Sequence, residues 1–287
     1  MTSKQAQGGS NNRKGNDYEN LVATHRLLIH TPSFLSTSAV VRMKEQAECP
    51  VDDIVLDLGT RWEYYQLKAD KAVTWGENRG YLRNRFLEQS RLCQQQGQDY
   101  RLFVVVADAD RKKSLEGDLG DEGGSRALRS FTQIILFPRL QRVAQLTRLT
   151  DELKIDWSEI AASRLSGNAE WEDLAEAFHS ARVNCTPGKD GFVTLADVVD
   201  KIRSQGWARI YTPWNEAQQD WSTFLEVLSL LDRFEFWVDR GYFEWRYGSA
   251  DCGMFKEPCN SDSFARFVRR VVEERPSTFL ELEAHLP

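Results

Sequence analysis

The stretch from residue 51 to residue 68 constrains the fold of this chain more than any other part of the sequence. Two short runs with a β-strand pattern, residues 51–57 and 62–68, are separated by a turn that contains Gly59 and Thr60. Runs of this kind on either side of a two-residue turn predict a β-hairpin. The chain is therefore expected to fold around at least one antiparallel pair of strands.

The hairpin brings polar residues together at one end. If Gly59 and Thr60 are the central turn residues, Asp53 lies opposite Gln66 and shares a face of the sheet with it. The period of two along a strand puts Lys68 on that same face. A slip of one residue would replace Asp53 by Asp52, so Asp52 stays as the alternative. The other face is the more apolar one and is predicted to be the core; it carries Ile54, Leu56, Leu58, Tyr65 and Leu67.

These groups are costly to bury for packing alone, and they are suited to holding a hard divalent cation beside a phosphate. Asp53 supplies an anionic oxygen and Gln66 a neutral one, while the backbone carbonyl of Leu67 is a third donor. Glu19 completes the ligand set if its helix packs beside the hairpin. Lys68 would then orient or deprotonate a water molecule, or stabilise charge on the phosphate.

The order of these motifs resembles that of a known family. A helix with Asp17-Tyr18-Glu19 is followed by Asp52-Asp53-Ile54 and then by Gln66-Leu67-Lys68. This order is similar to the PD-(D/E)XK nuclease superfamily, and the glutamine before x-Lys resembles the Mrr-like branch. The sequence most resembles the double-stranded DNA endonuclease domains of bacterial antiphage effectors of the CD-NTase-associated and Lamassu types. The resemblance covers about residues 15–110 and extends at most to 149.

The resemblance implies an α/β fold with a restriction-endonuclease-like αβββαβ core. It implies a metal-dependent and largely sequence-nonspecific DNA endonuclease, in which Glu19 and Asp53 hold Mg²⁺ or Mn²⁺, Gln66 lies beside the metal and Lys68 acts on the attacking water. Gln66 departs from the commoner Glu or Asp and lowers the negative charge of the site. That departure supports an alternative, a catalytically degenerate subunit that binds nucleic acid or scaffolds a partner. An RNA-directed nuclease is a third interpretation.

The rest of the pattern predicts a disordered leader at 1–15, a nuclease domain at 16–150 and a mainly α-helical domain for partner binding or oligomerisation at 151–287. The nuclease domain is predicted to contain helices at 16–30, 79–96 and 125–149, the last broken near Pro138, with strands at 38–46 and 100–107 and a polar surface loop at 108–124. The C-terminal domain is predicted to contain helices at 157–165, 171–182, 195–204, 214–239 and 261–275, with a short strand or aromatic turn at 241–247.

The net charge of −6 conceals an asymmetry between the two halves of the chain. Residues 1–150 hold 22 Lys/Arg and 18 Asp/Glu, whereas residues 151–287 hold 15 and 25. The first half therefore suits a polyanion such as double-stranded DNA, and the second suits protein contacts. Four basic residues after the hairpin are candidates for contact with the phosphate backbone, with a solvated helix face as the alternative; they are Lys71, Arg79, Arg83 and Arg85.

Composition adds expectations about location and control. With 41% hydrophobic residues, the 287-residue chain is long enough for a proper core, and it has no apolar run near eighteen residues and no signal-peptide pattern, which favours the cytoplasm. Five cysteines form no regular framework and suit reduced thiols. A nonspecific nuclease must be restrained, and the acidic second half has no recognisable ligand sensor. We therefore expect activation by homo- or hetero-oligomer assembly or by a regulatory subunit of a defence complex, for which an SMC-like ATPase is one candidate.

Overall fold

The computed structural model describes residues 3–69, 73–76, 82–120, 128–160, 168–205, 210, 220–239, 241–249 and 251–286. The chain forms two compact units, one of Met1–Ile155 with Ala175–Ser204 and the other of Asp156–Leu174 with Gln205–Pro287. The first unit is thus built from two separate stretches of chain. A single boundary at residue 150 was predicted. The structure differs because the segment Ala175–Ser204 belongs to the first unit.

The first unit is a mixed α/β structure, as predicted. Its elements are α1 (Ser3–Thr37), β1 (Arg42–Glu45), β2 (Ile54–Asp57), β3 (Trp62–Lys68), α2 (Leu82–Gln95), β4 (Tyr100–Val106), α3 (Ala109–Gly120), β5 (Thr132–Leu136), α4 (Asn168–Asn184, from Ala175 onward), β6 (Val193–Thr194) and α5 (Leu195–Gln205). The six strands form one sheet in the order β5-β4-β3-β2-β1-β6. Strands β1, β2 and β3 are antiparallel neighbours, whereas β4 and β5 run parallel to β3.

The register of the β2–β3 hairpin is confirmed. The amide of Leu58 donates to the carbonyl of Arg61 at 3.0 Å, and Ile54 lies opposite Tyr65. Gly59 adopts a φ of +76°, a conformation that glycine reaches without steric cost. The side chain of Asp57 accepts a hydrogen bond of 2.8 Å from the Gly59 amide, so the turn is fixed by its own neighbours.

Both faces of the sheet are buried, so the prediction of a single core face was wrong. On one face, Val55 and Tyr64 belong to a cluster that includes Phe86 of α2. On the other face, the guanidinium of Arg26 in α1 lies over the ring of Tyr65. Parallel strands are usually covered by helices on both sides, and β3 pairs in parallel with β4.

Residues 108–124 were predicted as a loop, but Ala109–Gly120 form helix α3. The side chain of Asp108 accepts a hydrogen bond of 2.9 Å from the Arg111 amide, which is how an N-cap residue begins a helix. Leu115 and Leu119, one turn apart, are both buried. These two apolar positions stabilise a helix within a segment whose composition is polar.

Three other predictions for the first unit were wrong. Part of the helix expected at 125–149 is strand β5, in which the β-branched Ile134 and Ile135 are buried beside β4. The backbone of α1 is helical from Ser3, through the predicted leader, because a helix that is already nucleated gains a hydrogen bond with each added residue. This helix also continues past Pro32, where it was expected to end.

The second unit combines helices with a three-stranded antiparallel sheet, of which the segment 241–247 was predicted as a short strand or aromatic turn. Its elements are α6 (Trp221–Ser229), β7 (Phe234–Asp239), β8 (Tyr242–Tyr247), β9 (Asp251–Met254), α7 (Asp262–Glu274) and α8 (Phe279–Glu283). The helix predicted at 214–239 ends at Ser229, and Arg233, with a φ of +57°, precedes β7. Aromatic rings fill the core of this unit, among them Phe224, Phe243, Phe264 and Phe267. None of the helices in the described parts of the chain is long and apolar enough to cross a membrane.

The segment from Ala175 is held to the first unit by a buried arginine. Arg182 of α4 donates to the side chain of Asn20 at 2.7 Å and to the hydroxyl of Thr24 at 3.1 Å, both in α1, and it forms an ion pair with Glu45 of β1. Burial lowers the pKa of Arg182. One side chain therefore joins α4, α1 and β1.

Replacing Arg182 by Met should lower the free energy of unfolding by about 2 kcal/mol, because Asn20, Thr24 and Glu45 lose hydrogen bonds that methionine cannot supply. Urea unfolding followed by circular dichroism measures this change. Arg270→Met, at an exposed position of α7, is the control and should alter stability by less than about 0.5 kcal/mol. Equal stability of the two variants would contradict the linking role of Arg182.

Candidate functional site

The candidate site lies at the end of β3, where β2 and β3 stop pairing. The last paired residues are Ile54 and Tyr65. Beyond them, the carboxylate of Asp53 accepts a hydrogen bond of 2.6 Å from the Leu67 amide, and the same oxygen accepts one from the side-chain amide of Gln66. The Asp53 side chain thus replaces the missing strand partner, and this fixes its position beside Gln66.

Helix α1 brings Glu19 to this end of the sheet. The side chain of Gln46 donates a hydrogen bond of 3.2 Å to the Glu19 carboxylate, while the Gln46 amide donates to the carbonyl of Asp53 at 3.1 Å. Gln46 has a φ of +50°, in the left-handed region that non-glycine residues seldom adopt. It therefore orients Glu19 toward Asp53. Sequence reasoning missed this residue, since a glutamine at the end of a strand carries no recognisable signal.

Burial and the neighbouring carboxylates raise the proton affinity of Glu19. The pKa of Glu19 is raised, first by burial and then by the negative charges of Asp53 and Glu45. The positive charge of Lys68 opposes this rise. Glu19 and Lys68 are 49 residues apart along the chain, yet both, with Asp53, are close enough to interact electrostatically. A concentration of negative charge with one amine beside it favours a cation.

Gln66 is fully buried and both ends of its side-chain amide are occupied. Its nitrogen donates to Asp53, and its oxygen accepts a hydrogen bond of 2.6 Å from Arg85 of α2. Arg85 also forms an ion pair with Asp52, at 2.8 Å. Asp52 and Asp53 thus have different partners, and the amide oxygen of Gln66 is directed toward Arg85 rather than toward Glu19 and Asp53.

The described side chains supply only part of the ligand set that a divalent metal ion needs. Glu19 and Asp53 supply two carboxylates, and Glu45 is engaged by Arg182. Within the described residues, no group of three His, Cys, Asp or Glu side chains is placed to share a metal ion. A third protein ligand at this point would have to be Gln66 after rotation of its amide, or a backbone carbonyl such as that of Leu67.

The structure describes two of the four residues predicted to contact nucleic acid. Lys71 and Arg79 lie outside the described residues. Arg83 is in the first turn of α2. Arg85 was predicted to contact phosphate, but it is bonded to Asp52 and Gln66 inside the site. Arg85 therefore holds the side chains of Gln66 and Asp52 in position in the candidate site.

The chain was compared with known protein families, proteins and structures. No protein-family model, no curated protein and no solved structure matches the chain. Function must therefore be inferred from the residues and their geometry.

Glu19→Gln should stabilise the protein at neutral pH in the presence of a metal chelator, by roughly 0.5 kcal/mol, because the variant removes a charge that Asp53 and Glu45 repel. The folded protein binds the Glu19 proton more tightly than the unfolded chain does. Wild-type stability therefore falls relative to the variant as pH rises from the ordinary value of 4.5 through the raised pKa.

Urea unfolding of both proteins across this pH range checks the prediction, and their difference should vanish well below pH 4.5. Glu88→Gln, at an exposed position of α2, is the control and should not stabilise the protein at neutral pH. A Glu19→Gln protein that is less stable than the wild type at neutral pH would mean that Glu19 is not in a repulsive cluster.

Proposed function

We propose that this protein is a metal-dependent DNA endonuclease whose site comprises Glu19, Asp53, Gln66 and Lys68. The observation that carries the proposal is the meeting of two carboxylates and a lysine from three different elements at the end of β3. The order of elements, α1-β1-β2-β3-α2-β4, also agrees with the restriction-endonuclease-like core that the sequence resemblance implies.

In this proposal, Glu19 and Asp53 would hold Mg²⁺ or Mn²⁺. A bound divalent cation polarises a phosphate oxygen and stabilises the charge that develops during hydrolysis. Lys68 is half-buried and, among the described residues, has no ion-pair partner within 4.0 Å. Its amine is therefore available to orient the attacking water or to stabilise negative charge on the phosphate. Asp53 remains fixed throughout by the Leu67 amide.

We propose further that the enzyme is restrained until a partner acts on it. The Gln66 oxygen is bonded to Arg85, so this side chain must turn before it can serve as a ligand. Assembly with a regulatory subunit, such as an SMC-like ATPase of a bacterial antiphage system, or oligomerisation would supply the trigger. The four proposed site residues are suited to a metal ion and a phosphate rather than to base edges, so cleavage of double-stranded DNA would be largely independent of sequence. This function would be performed in the cytoplasm.

A second candidate function has a specific observation in its favour. Both ends of the Gln66 amide are occupied, and the described residues provide no third acidic ligand. A degenerate nuclease fold that binds nucleic acid, or that scaffolds a partner, would have these properties. An RNA-directed nuclease would share the site of the first candidate and differ in its substrate.

Lys68→Met and Asp53→Asn should each lower the rate of plasmid cleavage at least about 100-fold in Mg²⁺ or Mn²⁺, because each removes a group that acts on the water or the cation. The assay uses supercoiled plasmid with the full chain, alone and together with the proteins encoded beside it. Lys113→Met, at an exposed position of α3, is the matched control and should leave the rate unchanged.

Cleavage by Lys68→Met at the wild-type rate would remove Lys68 from the mechanism. A wild-type protein that binds double-stranded DNA but never cuts it, with both metals and the neighbouring proteins present, would establish the second candidate. Cleavage of single-stranded or structured RNA in place of the plasmid would identify the third.

A further inference from the structure

A cavity of about 570 Å³ lies within the first unit on the face of the sheet opposite the candidate site. Its walls come from α1, β3, β4, β5 and the segments that flank β5. Tyr65 lines the cavity and Gln66 lies in the candidate site; as neighbours in β3 they point to opposite faces. The volume is within the range of small-molecule sites in proteins.

The lining of this cavity has an excess of positive charge. It includes four arginines and two carboxylates; they are Arg26, Arg61, Arg101, Arg129, Glu63 and Glu152. Arg101 and Arg129 are exposed at the mouth, and Arg26 lies at the buried end. The guanidinium group is planar and presents its donors as a fork, which suits the oxygens of a phosphate.

Arg26 is a buried cation without an anion. Its side chain is 9% exposed, its guanidinium lies 5.1 Å from the centre of the Tyr65 ring, and its Nε atom has no hydrogen-bond partner. No carboxylate of the described residues lies within 4.0 Å of it. The ring contact offsets part of the cost of burying this charge, but the Nε donor remains unpaired.

The buried carboxylate in the lining of the cavity, Glu63, is already engaged. Glu63 accepts a hydrogen bond from the hydroxyl of Tyr65 and another of 3.1 Å from Arg61, and His30 lies 3.5 Å from it. These contacts hold the pKa of Glu63 below its ordinary value despite its burial. The buried hydroxyl of Thr132, on the β5 wall, also lacks a hydrogen-bond partner. The cavity therefore holds two buried polar groups, Arg26 Nε and the Thr132 hydroxyl, that have no hydrogen-bond partner.

We propose that this cavity binds a small organic phosphate, with the phosphate group on Arg26 and on the arginines at the mouth. A phosphate supplies the acceptor oxygens that Arg26 and Thr132 lack. The cavity is larger than a phosphate ion, and its apolar walls, which include Ile29 and Phe131, leave room for an organic group beside it. This site is separate from the proposed nuclease site and does not depend on that function.

Isothermal titration calorimetry of the full chain with inorganic pyrophosphate, and in separate titrations with ADP and with citrate, tests the proposal. We expect saturable binding of one pyrophosphate or one ADP per chain and weaker binding of citrate. Arg26→Met should weaken binding at least about tenfold, because it removes the buried cation. The double variant Arg101→Ala with Arg129→Ala, at two exposed positions, provides a second test that does not disturb the core.

Arg266→Met, at an exposed position of α7, and Lys68→Met should both bind pyrophosphate as the wild type does. The proposal is overturned if neither phosphate binds, if citrate binds more tightly than both, or if the Arg26 and Arg101/Arg129 variants bind normally. It is also overturned if only a double-stranded DNA fragment binds in a manner that depends on Arg26, since the cavity would then belong to a nucleic-acid surface. Loss of binding in Lys68→Met would place the phosphate in the nuclease site instead.

Discussion

The point at which β2 and β3 separate determines how the candidate site is built. Strand β3 continues beside β4 after its pairing with β2 has ended at Tyr65, so the amide of Leu67 needs another acceptor. Asp53 is that acceptor. The same hydrogen bond that completes the backbone pairing therefore fixes a carboxylate beside Gln66, and Glu19 and Lys68 are arranged around this fixed group.

The two faces of strand β3 lie beside side chains of opposite charge. Gln66 is next to the carboxylates of Glu19 and Asp53, where negative charge predominates, whereas Tyr65 faces the arginine-lined cavity. Because successive side chains of a strand alternate between faces, two sites of opposite charge can lie within one residue of each other along the chain. The sheet separates these charges, although α1 contributes Glu19 to one site and Arg26 to the other.

Local patterns predicted the parts of the structure that depend on neighbouring residues. The turn at Gly59 sets the hairpin register, and this register places Asp53 rather than Asp52 opposite Gln66, as predicted. Helices α2, α4, α5 and α7 and strand β8 were also predicted near their observed positions. The errors lie where packing decides the outcome: α3 depends on two buried leucines in a polar segment, and β5 and β7 are apolar runs whose strand pairing is not visible in sequence.

The sequence by itself determined the hairpin, its register and the identity of the polar groups at its end, because turn geometry and the period of a strand are local properties. Only the tertiary structure decided that Glu19 approaches Asp53 through Gln46, that Arg85 occupies the oxygen of Gln66, and that Arg26 is buried without an anion. These contacts involve residues scattered between Glu19 and Arg85 in the sequence. They depend on how helices pack against the two faces of the sheet. No pattern of neighbouring residues records that packing.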